Sequence, residues 1–176
     1  MTVPRSVRIA TGVLVAVVMC LGPTGCGDDD SPTVQDPVER QVEIYTTVLR
    51  AVVSEADPSL DEAGPPVVFV AARGDDPINI DVQAAVVVEL EGWSTIRFVD
   101  DIDEAVDLAD PEGAVRDDGM LVGLGPVPEE GRAVSVYADR YESPARTVVF
   151  DVSLQRTPSG WVITGQLDGV PVATPQ

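Results

Sequence analysis

The densest run of side chains capable of chemistry lies between residues 100 and 112: Asp100, Asp101, Asp103, Glu104, Asp107, Asp110 and Glu112. Carboxylates at this density suit a hard cation such as calcium, which gathers roughly six to eight oxygens, often from one acidic loop. Counted as an EF-hand loop, Asp101, Asp103 and Glu112 fall at positions 1, 3 and 12. Ala105 and Val106 then stand where that loop needs an oxygen ligand and a turn glycine. The EF-hand pattern therefore fails, which leaves an irregular calcium site or a solvated acidic loop. Paired carboxylates also run glycoside hydrolysis. Such sites are normally lined by aromatic platforms, and this chain has only two tryptophans, three tyrosines and three phenylalanines. A second candidate surface is Tyr137 and Tyr141, which share a strand face with Ser135 and Asp139. They would line a ligand groove on the open side of a sheet.

Absences restrict the chemistry further. The chain has no histidine, and its basic residues are all arginine. That removes Ser-His-Asp and Cys-His catalysis, imidazole metal ligands, Schiff bases and lysine-dependent phosphate loops. No serine sits in a G-x-S-x-G turn, and no cofactor is expected. The formal charge of −19 repels phosphate backbones, so a nucleic-acid partner is not expected. The same charge keeps a protein soluble through self-repulsion, or attracts a cationic partner. Arg73-Gly74-Asp75 matches the integrin-binding tripeptide, but at this place it reads as a turn after a strand.

The first thirty residues give the location. Arg5 and Arg8 precede an apolar run from Ile9 to Leu21, followed by Gly25-Cys26-Gly27 and then Asp28, Asp29 and Asp30. A run of thirteen residues makes a leader core, short of the about twenty needed to span a bilayer. Gly22 and Pro23 break the helix ahead of a cleavage site. This order resembles a bacterial lipoprotein signal, with Cys26 as the lipidated cysteine after Pro23, Thr24 and Gly25. Pro23 departs from the usual leucine, while Cys20 follows the bulky Met19 and fits less well. Simple secretion and an uncleaved anchor are the alternatives. The resemblance implies a protein held by acyl chains on the extracytoplasmic face of the cell membrane, with an unknown protein or envelope component as its partner. Loss of Arg5 and Arg8 with the leader takes the formal charge from −19 to −21. Anionic headgroups are thus poor docking surfaces, and the lipid itself is the hold on the membrane.

After the leader (1–25) comes an acidic tether, 26–35, too poor in apolar residues to fold. A single domain over 36–169 follows, with a tail from Val170 expected to fray. Its length of about 130 residues suits one ordinary domain without disulfides. Asp36 caps a first helix, with Pro37 at its first position and Glu39 completing a capping box. Val38, Val42, Tyr45, Leu49, Val52 and Ala56 then recur on one face. Val67–Ala71 reads as a buried strand, 82–91 as a helix capped by Asp81 and stopped by Gly92, and Ile96–Phe98 as a half-buried strand. Residues 100–118 read as loop with one helical turn near 103–108. Met120–Leu124, Arg132–Tyr141, Thr147–Gln155 and Trp161–Ile163 read as strands, and Thr157-Pro158-Ser159-Gly160 as a hairpin loop. The sum is an α+β domain: an N-terminal amphipathic helix and a second helix on a mainly antiparallel sheet that ends in a β-meander. Trp161 is expected in its core with Ile163 and Leu167. The segments Gly119–Val127 and Ser159–Gly165 resemble small uncharacterised lipoproteins of actinobacteria. The long hairpin crossed by one helix is similar to cystatin-like and nuclear-transport-factor-2-like folds. Neither resemblance brings catalytic residues. Metabolic labelling with a fatty acid should mark the intact protein and vanish in Cys26→Ala; labelling lost in Cys20→Ala instead would move the attachment site.

Overall fold

The computed structural model describes residues 35–56, 65–107, 109–110 and 112–172. The leader, Cys26 and nearly all of the tether lie outside the described residues. Helix α1 runs Pro37–Ala56. Its start follows from Asp36, whose carboxylate accepts the backbone N–H groups of Val38 (2.9 Å) and Glu39 (3.2 Å). The buried stripe includes Tyr45, Leu49 and Val52 as the spacing demands, widened by Ile44, Val48 and Val53. A helix on a flat sheet buries a broader face than a two-residue-per-heptad seam.

Strand β1 (Val67–Ala72) leads into helix α2 (Ile80–Glu89) and strand β2 (Thr95–Phe98), which returns parallel to β1. The α2 cap is Asn79, two residues earlier than Asp81; its side chain accepts from the Asp81 N–H at 2.8 Å. Asp81 instead places its charge in the first turn, where the helix dipole favours an anion. The short helix α3 (Ile102–Ala105) and a 3-10 turn (Arg116–Asp118) break the acidic segment. Strands β3 (Met120–Leu124), β4 (Ala133–Ser143), β5 (Arg146–Thr157), β6 (Gly160–Ile163) and β7 (Val170–Pro171) complete the domain. The sheet order is β2-β1-β3-β4-β5-β6, with β7 also paired to β5. The β1–β2 and β1–β3 pairs are parallel and the other four are antiparallel, so the fold is α+β with a mostly antiparallel sheet. Strands β1 and β3 are apolar almost throughout, as parallel strands covered on both faces must be. Val170 and Pro171 do not fray: they pair with Val149 and Val148. The Val172 N–H donates to the Thr147 carbonyl at 2.9 Å, which extends the edge beside β5.

Both helices cover one face. Val70, Val122, Val136, Ala138, Phe150 and Val152 are at most 1% exposed beneath Val48, Leu49, Val82, Val86 and Leu90. Trp161 joins this core as expected, and Arg40 stacks on its ring 4.6 Å from the centroid. α1 carries no base in its last turn, so its C-terminal carbonyls need a cation from elsewhere. Arg140 of β4 supplies it, with Nη1 donating to the Val52 carbonyl at 2.7 Å and to Glu55 at 2.6 Å.

The Tyr45 hydroxyl, buried under α1, donates to the Gly125 carbonyl at 3.1 Å. Burial pushes its pKa above the ordinary 10.0, against a smaller opposing pull from the backbone at Val127. A folded-state pKa above the unfolded one contributes stability below about pH 10 that is lost as the pH climbs through the folded value. Chemical denaturation across pH 8–11 should therefore show a steeper alkaline loss for the native chain than for Tyr45→Phe. Equal slopes would contradict this.

Candidate functional site

Among the described residues no long helix lies over the second face of the sheet. Phe69 and Ala71 of β1 and Leu121 of β3 point there, and the sequence from Val99 to Val115 folds back to cover them. Ala105, Val106 and Val115 are buried in this smaller cluster, while Asp101, Asp103, Asp107 and Glu112 face solvent. The acidic segment is thus a flap with an apolar underside. Its two arms meet in a bridge between Val106 and Val115, supported by the Asp107 N–H to the Ala114 carbonyl at 3.2 Å. Arg97 ties Asp117 at the flap's end and lies over the Phe69 ring, 5.5 Å from its centroid.

This arrangement explains the failed EF-hand count. The two residues that spoil it, Ala105 and Val106, are the ones that pack on the sheet. Asp101 spends its carboxylate on the Asp103 N–H as the cap of α3. Asp110 does the same for the Glu112 N–H at 2.9 Å. Among the described residues no three Asp, Glu, His or Cys side chains are gathered as a metal site, and Asp101, Asp103 and Glu112 are not brought together as one.

Tyr137 and Tyr141 do share the second face, but they are separated. Between them on β4 is Asp139, only 6% exposed, gripped by Arg73 from the end of β1. Arg73 Nε donates to Oδ1 at 2.7 Å and Nη2 to Oδ2 at 2.8 Å. The Arg73 backbone N–H is fixed on the Leu124 carbonyl at 2.7 Å, and the side chain crosses β3 at Gly123. A β-carbon there would overlap both Arg73 Nε and Asp139 Oδ1, so only glycine leaves room for the crossing. Gly74 and Asp75 turn the chain at the surface, as expected of that tripeptide, while Arg73 does something the sequence reading did not assign it. The one available hint was Gly123 inside an otherwise apolar strand, a mark of close approach. Asp139 looked like one more exposed polar residue on the wet side of a hairpin.

On one side of this ion pair lies a cleft of about 230 Å³. Ile102 and Val106 of the flap form one wall and Leu121, Tyr141 and Thr147 the other, with Arg73 and Asp139 at its base. The Tyr141 hydroxyl donates to the Gly113 carbonyl of the flap at 2.7 Å, which holds the wall in place. On the other side, Tyr137 is 45% exposed beside Ser135, Asp151 and Asp168 in a shallower concavity. A third crevice of about 570 Å³ sits at the carboxyl ends of β1 and β3, between Tyr45, Arg73, Asn79 and Pro126. Parallel strands commonly leave ligand sites there, but Asp75, Asp76 and Glu129 around it oppose an anion.

Hydrogen bonding to Asp139 raises the already high pKa of Arg73, with burial pulling the other way. Both Asp139 oxygens accept from Arg73. Burial raises the Tyr141 pKa, which keeps it a neutral phenol. The cleft therefore offers fixed donors and apolar walls.

No family model matches this chain, and no curated protein matches it. Among solved structures it is similar to the sugar N-methyltransferase KedS8 from Streptoalloteichus sp. ATCC 53650, at 15% identity over 95% of this chain and 85% of that one. The TM-score of 0.19 is too low for that likeness to bear on fold or activity.

Asp139→Ala strands a half-buried guanidinium. Losing one partner of a fully buried pair costs roughly 3–5 kcal/mol. Arg73 is 30% exposed, so the expected loss is smaller, about 2–3 kcal/mol. Urea denaturation should show it, and Arg73→Met with Asp139→Leu together should cost less than the two single changes added. Simple additivity would mean the pair is not coupled.

Proposed function

We propose that this chain is a lipid-anchored domain on the extracytoplasmic face of the cell membrane, and that it binds a protein or envelope component without transforming it. The observation that carries the reading is the order of residues 5–30: arginines, a thirteen-residue apolar run, a helix break, Cys26 and an acidic spacer. An acyl chain on Cys26 would hold the protein, and the spacer would let the domain stand clear of a surface its charge avoids. The working surface in this reading is the second sheet face. It presents a free aromatic, Tyr137, among hydroxyls and carboxylates, a composition suited to a partner with apolar and hydrogen-bonding groups. The helix-covered face, by contrast, is committed to the core. Binding of a small molecule on the same face is the second reading, favoured by the cleft beside Tyr141. Calcium binding by the flap has less support, because its carboxylates diverge and several already cap backbone N–H groups.

A photo-crosslinking amino acid at Tyr137 should trap an envelope component in intact cells, whereas the same group at Glu91, behind α2, should not. Equal trapping at both positions, or none at Tyr137, would contradict the choice of face. Recovery of the native protein unacylated from the cytosol would contradict the location.

A further inference from the structure

The Arg73–Asp139 pair that lines the cleft beside Tyr141 leaves one donor without a protein partner among the described residues. Arg73 commits Nε and one Nη2 hydrogen to Asp139, which leaves Nη1 without a partner among the described residues. Its neighbours do not compete for it. The Tyr141 hydroxyl is donated to Gly113 and the Thr147 hydroxyl to the Ser143 carbonyl, at 3.4 Å. The rest of the lining that matters is apolar: Ile102, Val106 and Leu121. The ion pair is internally neutral, so the cleft shows a ligand directional N–H donors with little net charge. The surrounding protein is strongly anionic.

We infer that this cleft binds an uncharged small molecule with a ring-sized apolar body and one carbonyl oxygen, the oxygen accepting from Arg73 Nη1. The proposal rests on the second face being the working surface. The chemistry follows from three constraints. Size comes first: an apolar cavity of about 150 Å³ takes benzene, so 230 Å³ takes a ring with a small substituent. Polarity comes second: Arg73 Nη1 is a donor without a protein acceptor among the described residues, so a ligand that supplies an acceptor completes it. Charge comes third. A carboxylate would have to compete with Asp139 and approach a chain of formal charge −19. A cation would be drawn by that charge but would meet the Arg73 guanidinium in the lining. A neutral carbonyl meets neither objection. Sites of this kind combine apolar walls with a few placed polar groups that fix orientation.

The test is an NMR titration of the full chain in lipid nanodiscs, with methyl-labelled Ile, Leu and Val, using benzamide, benzoate and benzylammonium as probes. Benzamide should shift the Ile102, Val106 and Leu121 methyl signals saturably at millimolar concentration or below, and leave Val48 and Leu49 in the opposite core unmoved. Benzylammonium, with no acceptor, should bind at least about tenfold more weakly despite the favourable overall charge, because a hydrogen bond from a charged donor is worth that factor or more. Benzoate should also be weaker than benzamide. Ile102→Trp fills the cleft from a position that is 42% exposed, so the fold should tolerate it, and the benzamide shifts should disappear. No saturable shift, a tighter fit for benzoate or benzylammonium, or shifts that survive Ile102→Trp would overturn the assignment. Crosslinking at Tyr137 reports on the face independently: a failed titration with those crosslinks intact removes the ligand class and leaves the choice of face standing.

Discussion

A sheet has two faces to bury, and among the described residues long helices cover only one. That constraint organises the rest of the molecule. α1 and α2 both pack on the face built from Val70, Val122, Val136 and Phe150. Phe69, Ala71 and Leu121 are left on the other side of β1 and β3, and apolar groups of that size cannot remain in water without cost. The segment between β2 and β3 answers this by turning Ala105, Val106 and Val115 inward and its carboxylates outward. The flap reaches only part of the way across. Where it stops, the exposed polar row of β4 and β5 begins, and the cleft lies at that border.

The border also holds the Arg73–Asp139 pair. A buried ion pair is not an efficient way to stabilise a fold, since desolvation offsets most of the attraction. It does fix geometry. Arg73 can reach Asp139 only by crossing β3 at Gly123, so three consecutive strands of the sheet are pinned in register at one point. Tyr141, one turn of the pleat further along β4, pins the flap in the same way through Gly113. Two polar links thus set the width of the cleft, and its apolar walls follow from the flap's underside.

The sequence revealed the helix-covered half well, because that half obeys periodic rules. Asp36-Pro37 announces α1, and the alternation through Val148, Phe150, Val152 and Leu154 announces β5 on the correct face. The α2 start lies two residues before the one the sequence predicts: Asn79 and Asp81 are both competent caps, and Asn79 is the one that accepts a helix N–H. The edge at Val170–Pro171 was missed because a proline in a short segment looks like a chain end, although an edge strand tolerates one. The site itself was half legible. Tyr141 and the shared face of β4 could be read from alternation. The capture of Asp139 by Arg73 could not, because 66 residues separate them and no local pattern records a contact between strands that are not neighbours. The apolar underside of the flap was also masked by its acidic neighbours, since single alanines and valines in a charged run carry no periodic signal.

The account depends on the flap lying packed across the second face of the sheet. Nuclear Overhauser contacts between methyl-bearing and aromatic side chains measure this directly in solution. It predicts contacts from Val106 and Val115 to Phe69 and Leu121, with slow amide exchange at the Val106–Val115 bridge. Random-coil shifts over residues 100–115, with no contacts from those valines to the sheet, would contradict it.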